Sequence, residues 1–78
     1  MFTASDFKAR LRERPFRPFR VLTSDGVGYE VVHPELLFVA ERWLTIGTPS
    51  KRDPSICRDA VRISRLHVTA IEDLEEAL

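Results

Sequence analysis

The chain has 78 residues, 44% hydrophobic and 31% charged, and its twelve basic and twelve acidic side chains cancel to zero net charge. That length admits one domain, residues 1 to 78, with a thin core, because so short a chain buries only about 60% of its unfolded surface. The charge balance argues against a globally basic nucleic-acid binder, and the lone Cys57 excludes an internal disulfide and fits a reducing compartment.

The start, MFTASDFKAR, lacks the basic and apolar segments of a secretory signal. The longest apolar run, Leu36 to Ala40, is five residues, far below the ~20 that cross a bilayer. These features point to a soluble cytoplasmic protein without a membrane partner. Charge is nevertheless uneven along the chain. Residues 1 to 20 hold six basic groups against Asp6 and Glu13, whereas residues 68 to 78 hold four acids and no base. Head and tail can attract each other within one chain or across a subunit boundary. Ten arginines against two lysines reads as composition bias rather than as a phosphate-binding device.

In chain order, the first element is a helix within residues 1–14. Thr3 can cap it, Asp6 completes a capping box, and Phe2 and Phe7 can form a hydrophobic staple. Phe7 and Leu11 make a narrow apolar stripe, and Pro15 ends the helix. The strongest local signal follows, PFRPFRVLTSDGVGYEVVHPE, two alternating runs hinged on Asp25-Gly26 and read as a tight hairpin. Its strands run from about Phe19 to Thr23 and from Gly28 to Val32. Phe19, Val21 and Thr23 should share one face with Val27, Tyr29 and Val31. Leu22 and Val32 fall on the other face, apolar where a monomer should be polar, and so are candidates for self-association.

His33-Pro34-Glu35 should bend or bulge the ladder, because Pro34 has no N–H to give it. Leu36 to Ala40 is a third strand and Trp43 to Ile46 a fourth. Gly47 to Pro54 reads as the longest loop. Strand character returns from Ile56 to Ile63, then a helical turn at Ser64 to Leu66, then a last strand from His67 to Ile71. An acidic tail, residues 73–78, completes the chain. The expected fold is mainly β: the helix plus a strongly bent five-stranded antiparallel sheet over residues 16–72, a small barrel, with an open sheet as the competitor.

Two resemblances bear on function. PFRPFR, SDG and HPE, followed by LHVTAIE, look like a group of small bacterial proteins of unknown function, and this brings no activity. The element order and the Asp25-Gly26 turn are similar to the Sm-like (SH3-like) barrel, whose members place a helix before a bent five-stranded sheet and assemble into rings by pairing sheet edges. That likeness implies a homo-oligomer and makes RNA a candidate partner. Sm-like RNA binders carry an Asn where this chain has Ala40-Glu41-Arg42, and a basic pair where it has Arg65-Leu66-His67. Arg42, Arg65 and His67 are thus the candidate RNA contacts, and the absent Asn weakens uridine-type recognition.

Catalytic and metal chemistry is poorly represented. His33, Cys57 and His67, with Glu35 nearby, contain neither C-x-x-C nor H-x-x-x-H, so metal binding is not expected. Cys57 reads as an apolar filler in a strand, because thiolate chemistry would need a neighbouring His and an electropositive pocket. His33 reads as an organiser of the bend through a ring hydrogen bond. Pro15-Phe16-Arg17-Pro18 matches a PxxP ligand only formally, since the core wants Phe16 and Phe19. Trp43 could stack a base, but the shortage of large residues argues for core. The expectation is a non-enzymatic module that self-associates, with no cofactor and no small-molecule substrate. An RNA-binding Sm-like protein is the alternative, and a thiol enzyme using Cys57 and His67 is the third reading.

Overall fold

A computed structural model describes residues 1–53 and 56–74. Helix α1 (Ala4–Arg12) is fixed at its start as its sequence demands. Thr3 Oγ1 accepts from Asp6 N at 3.3 Å, and Asp6 Oδ2 accepts from Thr3 N at 2.7 Å, so two otherwise orphaned donors are satisfied reciprocally. Phe2 and Phe7 meet with ring centroids 6.1 Å apart, which closes the staple. The helix ends before the cis Arg14–Pro15 peptide. Its one fully buried residue, Phe7, carries the packing, consistent with a narrow stripe on a helix too short to persist alone.

Among the described residues six strands follow, β1 (Phe19–Thr23), β2 (Gly28–Val31), β3 (Leu37–Val39), β4 (Trp43–Pro49), β5 (Cys57–Ser64) and β6 (Val68–Asp73). They form two antiparallel three-stranded sheets, in orders β2-β1-β6 and β3-β4-β5. The protein is thus mainly β with one N-terminal helix. Six strands in two sheets replace the single sheet of five expected from the sequence. The division falls where Pro34 was expected to disturb the ladder: Pro34–Leu36 is one helical turn rather than a bulge, and β2 and β3 lie on its two sides. A proline at the first position of a helical turn gives up no useful donor, which makes the turn a better solution than a distorted strand.

The β1–β2 register pairs Phe19 with Val31 and Leu22 with Gly28. Phe19, Val21 and Thr23 are buried as expected, and so is Val31. Val27 closes the hairpin opposite Thr23, on the expected face, but it is 42% exposed there rather than buried. The turn is not of the two-residue kind. Thr23 N donates to Val27 O at 3.0 Å and Gly26 N to Thr23 O at 2.9 Å, enclosing Ser24, Asp25 and Gly26, and only Gly26 has a positive φ, 85°. That is a three-residue loop with glycine in the left-handed position. Gly26→Ala meets no steric neighbour, so its cost is purely conformational, about 1–2 kcal/mol. Urea denaturation should show the midpoint falling by about 1 M.

Further along, β4 continues through Gly47, Thr48 and Pro49, residues expected in a loop. Pro49 is tolerated at the register shift opposite Cys57, at the end of the ladder. The second helical turn, Arg65–His67, sits one residue later than expected and feeds β6. Asp73 belongs to β6, and the expected acidic tail otherwise falls mostly outside the described residues, at 75–78. The core joins Phe7 to Phe19, Val21, Val31, Leu37, Leu44, Ile46 and Val68, so both sheets and the helix share it.

Charge fastens head to tail within the chain. Arg10 pairs with Asp73 and faces Glu13 at 3.5 Å, and its guanidinium lies 4.8 Å from the Phe19 ring centroid. Arg20 bridges Glu30 at 2.9 Å and Glu72 at 3.7 Å, one cation between the carboxylates of its two neighbouring strands.

Candidate functional site

The most unusual element is β5. Its residues Cys57 to Arg62 are all exposed, on both faces of the strand, and only Ile63 and Ser64 are half-buried. One edge of β5 pairs with β4, and the other has no strand partner among the described residues. Alternation puts Asp59, Val61 and Ile63 on the side of the core residues Leu44 and Ile46, since Leu44 pairs with Ile63 and Ile46 with Val61. Val61 therefore extends the apolar side of the sheet to a rim where it is only partly covered, 36% exposed. Eight residues of exposed edge form a template for another strand, and proteins normally shorten, charge or cover such edges.

The opposite side of the same sheet carries Phe38, Thr45 and Arg62 in one cross-strand row, with Trp43 and Ser64 in the next. Phe38 is 72% exposed and Trp43 43%. The expectation that Trp43 joins the core is thereby overturned. The aliphatic residues and Phe7 and Phe19 fill the core, and Trp43 instead lies under the Arg62 guanidinium, 4.8 Å from its ring centroid.

Trp43 and Arg62 also line a cleft of about 520 Å³ between the β1–β2 turn and the start of β4, completed by Tyr29, Ser64 and His67. Asp25 stands on its rim. Thr23 Oγ1 donates to Asp25 Oδ1, and Val27 N donates to the same oxygen at 3.2 Å. The Thr23 hydrogen bond, and then that from Val27, hold the Asp25 carboxyl below the usual carboxylate range. A depressed folded-state value means that the carboxylate's contribution to stability is fully present above the unfolded value of 3.8 and is lost as pH falls through the folded one. Asp25→Ala should therefore be less stable than the parent at pH 7, and the gap between their urea midpoints should narrow as pH falls below 3.8. A gap that persists unchanged in acid would show that the turn does not depend on the ionised group.

The three residues proposed to contact RNA are brought near one another in part. Arg65 N donates to Arg42 O at 2.9 Å, so the segments around Ala40-Glu41-Arg42 and Arg65-Leu66-His67 abut. The Arg65 guanidinium, however, is occupied by two main-chain carbonyls, Glu41 O at 3.0 Å and Phe2 O at 2.7 Å. Arg42 and His67 are exposed, and His67 lies in the cleft. Leu22 and Val32 are both half-buried. Leu22 and the stem of Arg20 crowd the space above Gly28, where an added Cβ would lie 3.2 Å and 2.8 Å from them, so this face is partly closed by its own chain.

Cys57 is exposed rather than a filler, its sulfur lying where a Cβ on Gly47 would come within 2.5 Å. It stands at the far end of β5 from His67, about 20 Å of extended strand away. His33 precedes the first helical turn and makes no side-chain capping bond to it. Among the described residues no group of three or more His, Cys, Asp or Glu could hold a metal ion, and no helix is long and apolar enough to cross a membrane. Sequence patterns missed the Trp43–Arg62 stack and the partly exposed rim at Val61, because both depend on strand register; the run from Ile56 to Ile63 free of Gly and Pro was the available signal for β5. Comparison with family models, curated proteins and solved structures finds no match to this chain.

Proposed function

We propose that this protein is a non-enzymatic interaction module that self-associates through its sheet edges. The observation that carries the reading is β5, an eight-residue strand exposed on both faces with its outer edge unpaired among the described residues. A small domain with a thin core gains stability by extending its sheet into a copy, because pairing supplies backbone hydrogen bonds and covers apolar rim residues together. An Sm-like arrangement would require β2 and β3, which lie in different sheets here, to act as the halves of one bent strand, with the helix then followed by five strands. A ring of that type would need β5 to meet a different edge on the next copy, head to tail, whereas β5 meeting β5 closes a two-fold dimer instead. Native mass spectrometry of the protein purified from cells tests the reading. Masses at multiples of the chain are expected at micromolar concentration, and a clean monomer would overturn it.

The RNA-binding alternative rests on a separate observation, the abutting Arg42 and Arg65 segments beside a cleft that exposes Trp43, Arg62 and His67. Stacking on the ring with phosphate at the cations is the chemistry this set offers. Binding of that kind must weaken steeply with salt. Absence of a salt-sensitive shift of short uridine- or adenosine-rich RNA would retire it.

A further inference from the structure

We propose that β5 pairs with the β5 of a second copy, antiparallel, about a two-fold axis at Val61, so that two three-stranded sheets become one sheet of six. This deepens the self-association reading and rests on it. Four strands border the two sheets, and two of them are too short to serve: β2 has four residues and β3 three. β6 is shorter than β5, six residues against eight, and its Val68, Ala70 and Ile71 are already at least half-buried, whereas the first six residues of β5 are all exposed. The charges of β5 are held within their own sheet, Arg58 beside Asp59 at 3.8 Å and Arg62 on Trp43. What β5 leaves open is its backbone edge and the exposed part of Val61, 36% of that residue.

The register follows from charge. A two-fold axis perpendicular to the sheet keeps each side chain on its own face, so residues placed opposite one another must be separated by an even number of positions. Centring on Arg58, Asp59 or Arg62 opposes each to its own copy, and centring on Ala60 opposes Arg58 to Arg62 of the second copy. Like charges directly opposite are destabilising. Centring on Ile63 pairs only the last few residues of the strand. Centring on Val61 pairs Arg58 through Ser64, with Arg62 opposite Ala60, Asp59 opposite Ile63 and Arg58 opposite Ser64 of the second copy. No like charges then stand directly opposite, and the Val61 side chains cover each other at the rim beside Ile46.

The test places a thiol on the axis in a chain without its natural one. In C57S/V61C the two new thiols face each other with Cα atoms about 5 Å apart, within disulfide reach. In the control C57S/D59C they are displaced by four residues, about 14 Å, and out of reach. After equilibration with glutathione disulfide, non-reducing electrophoresis and intact mass should show at least about tenfold more covalent dimer for the first variant. Native mass of the Cys57→Ser parent is measured alongside. Oligomer in the parent with no excess of cross-link at position 61 overturns the Val61 axis and leaves self-association standing. A monomeric parent overturns both.

Discussion

Phe19→Ala is expected to lower the melting temperature by at least about 15 °C and to leave the protein partly unfolded at 37 °C. Phe19 is completely buried at the start of β1, 6.1 Å from the Phe16 ring and beneath the Arg10 guanidinium. Truncating a buried phenylalanine costs about 3–5 kcal/mol, against a total of about 4–12 kcal/mol for a chain of this size. In so small a domain each kcal/mol moves the midpoint by about 4–8 °C. The effect has a second source in the same ring. Arg10 ties α1 to β6 through Asp73, and without the Phe19 face its guanidinium loses the platform that positions it. Phe38→Ala serves as the control. Phe38 is 72% exposed, and its loss should change stability by no more than about 0.5 kcal/mol. Thermal unfolding followed by circular dichroism separates the two, and equal shifts would contradict the assignment of core and surface.

Val61→Lys is expected to convert the proposed assembly to a monomer while the fold survives. Val61 is 36% exposed, so the lysine stem can lie along Ile46 with the ammonium in water, and the single chain loses little. In a pair centred on Val61 the same change sets two ammonium groups opposite each other. Like-charge juxtaposition at an interface costs several kcal/mol, which corresponds to at least about a hundredfold in dissociation constant. Light scattering over a concentration series reads the shift. Val61→Lys that associates as tightly as the parent would place the contact elsewhere, with β6 the next edge to probe. Phe19→Ala acts on the core and lowers stability at every concentration, whereas Val61→Lys acts on the rim and removes the mass increase together with the concentration-dependent part of the stability.

Much of the fold was legible because it is set by near neighbours. The Thr3–Asp6 capping box, the Phe2–Phe7 staple, the strand from Phe19 to Thr23 and the turn at Asp25-Gly26 each involve residues within a few positions of one another, where spacing alone limits the geometry. The break at Pro34 was legible too, although its form as a helical turn dividing two sheets was not. Sequence could not place Trp43 or Cys57, because an alternating strand has two faces and only the neighbouring strands decide which is covered. The candidate site was less legible still. Arg65 looks like a free cation until the chain brings Phe2 and Glu41 to it, and Leu22 looks like a bare patch until Arg20 folds over Gly28.

The amino-acid order by itself therefore determined a small mainly β domain with a capped N-terminal helix, a hairpin on Asp25-Gly26 and a basic head with an acidic end. Tertiary structure decided that this head and end meet within one chain, through Arg10 with Asp73 and Arg20 with Glu72, which the sequence had left open between one subunit and two. It also decided that β5 stands at a sheet border with both faces exposed. The reason is one of range: caps and turns are satisfied by bonds within a few residues, whereas burial and edge exposure arise only when strands far apart in the chain choose their register and leave one of them last in the row.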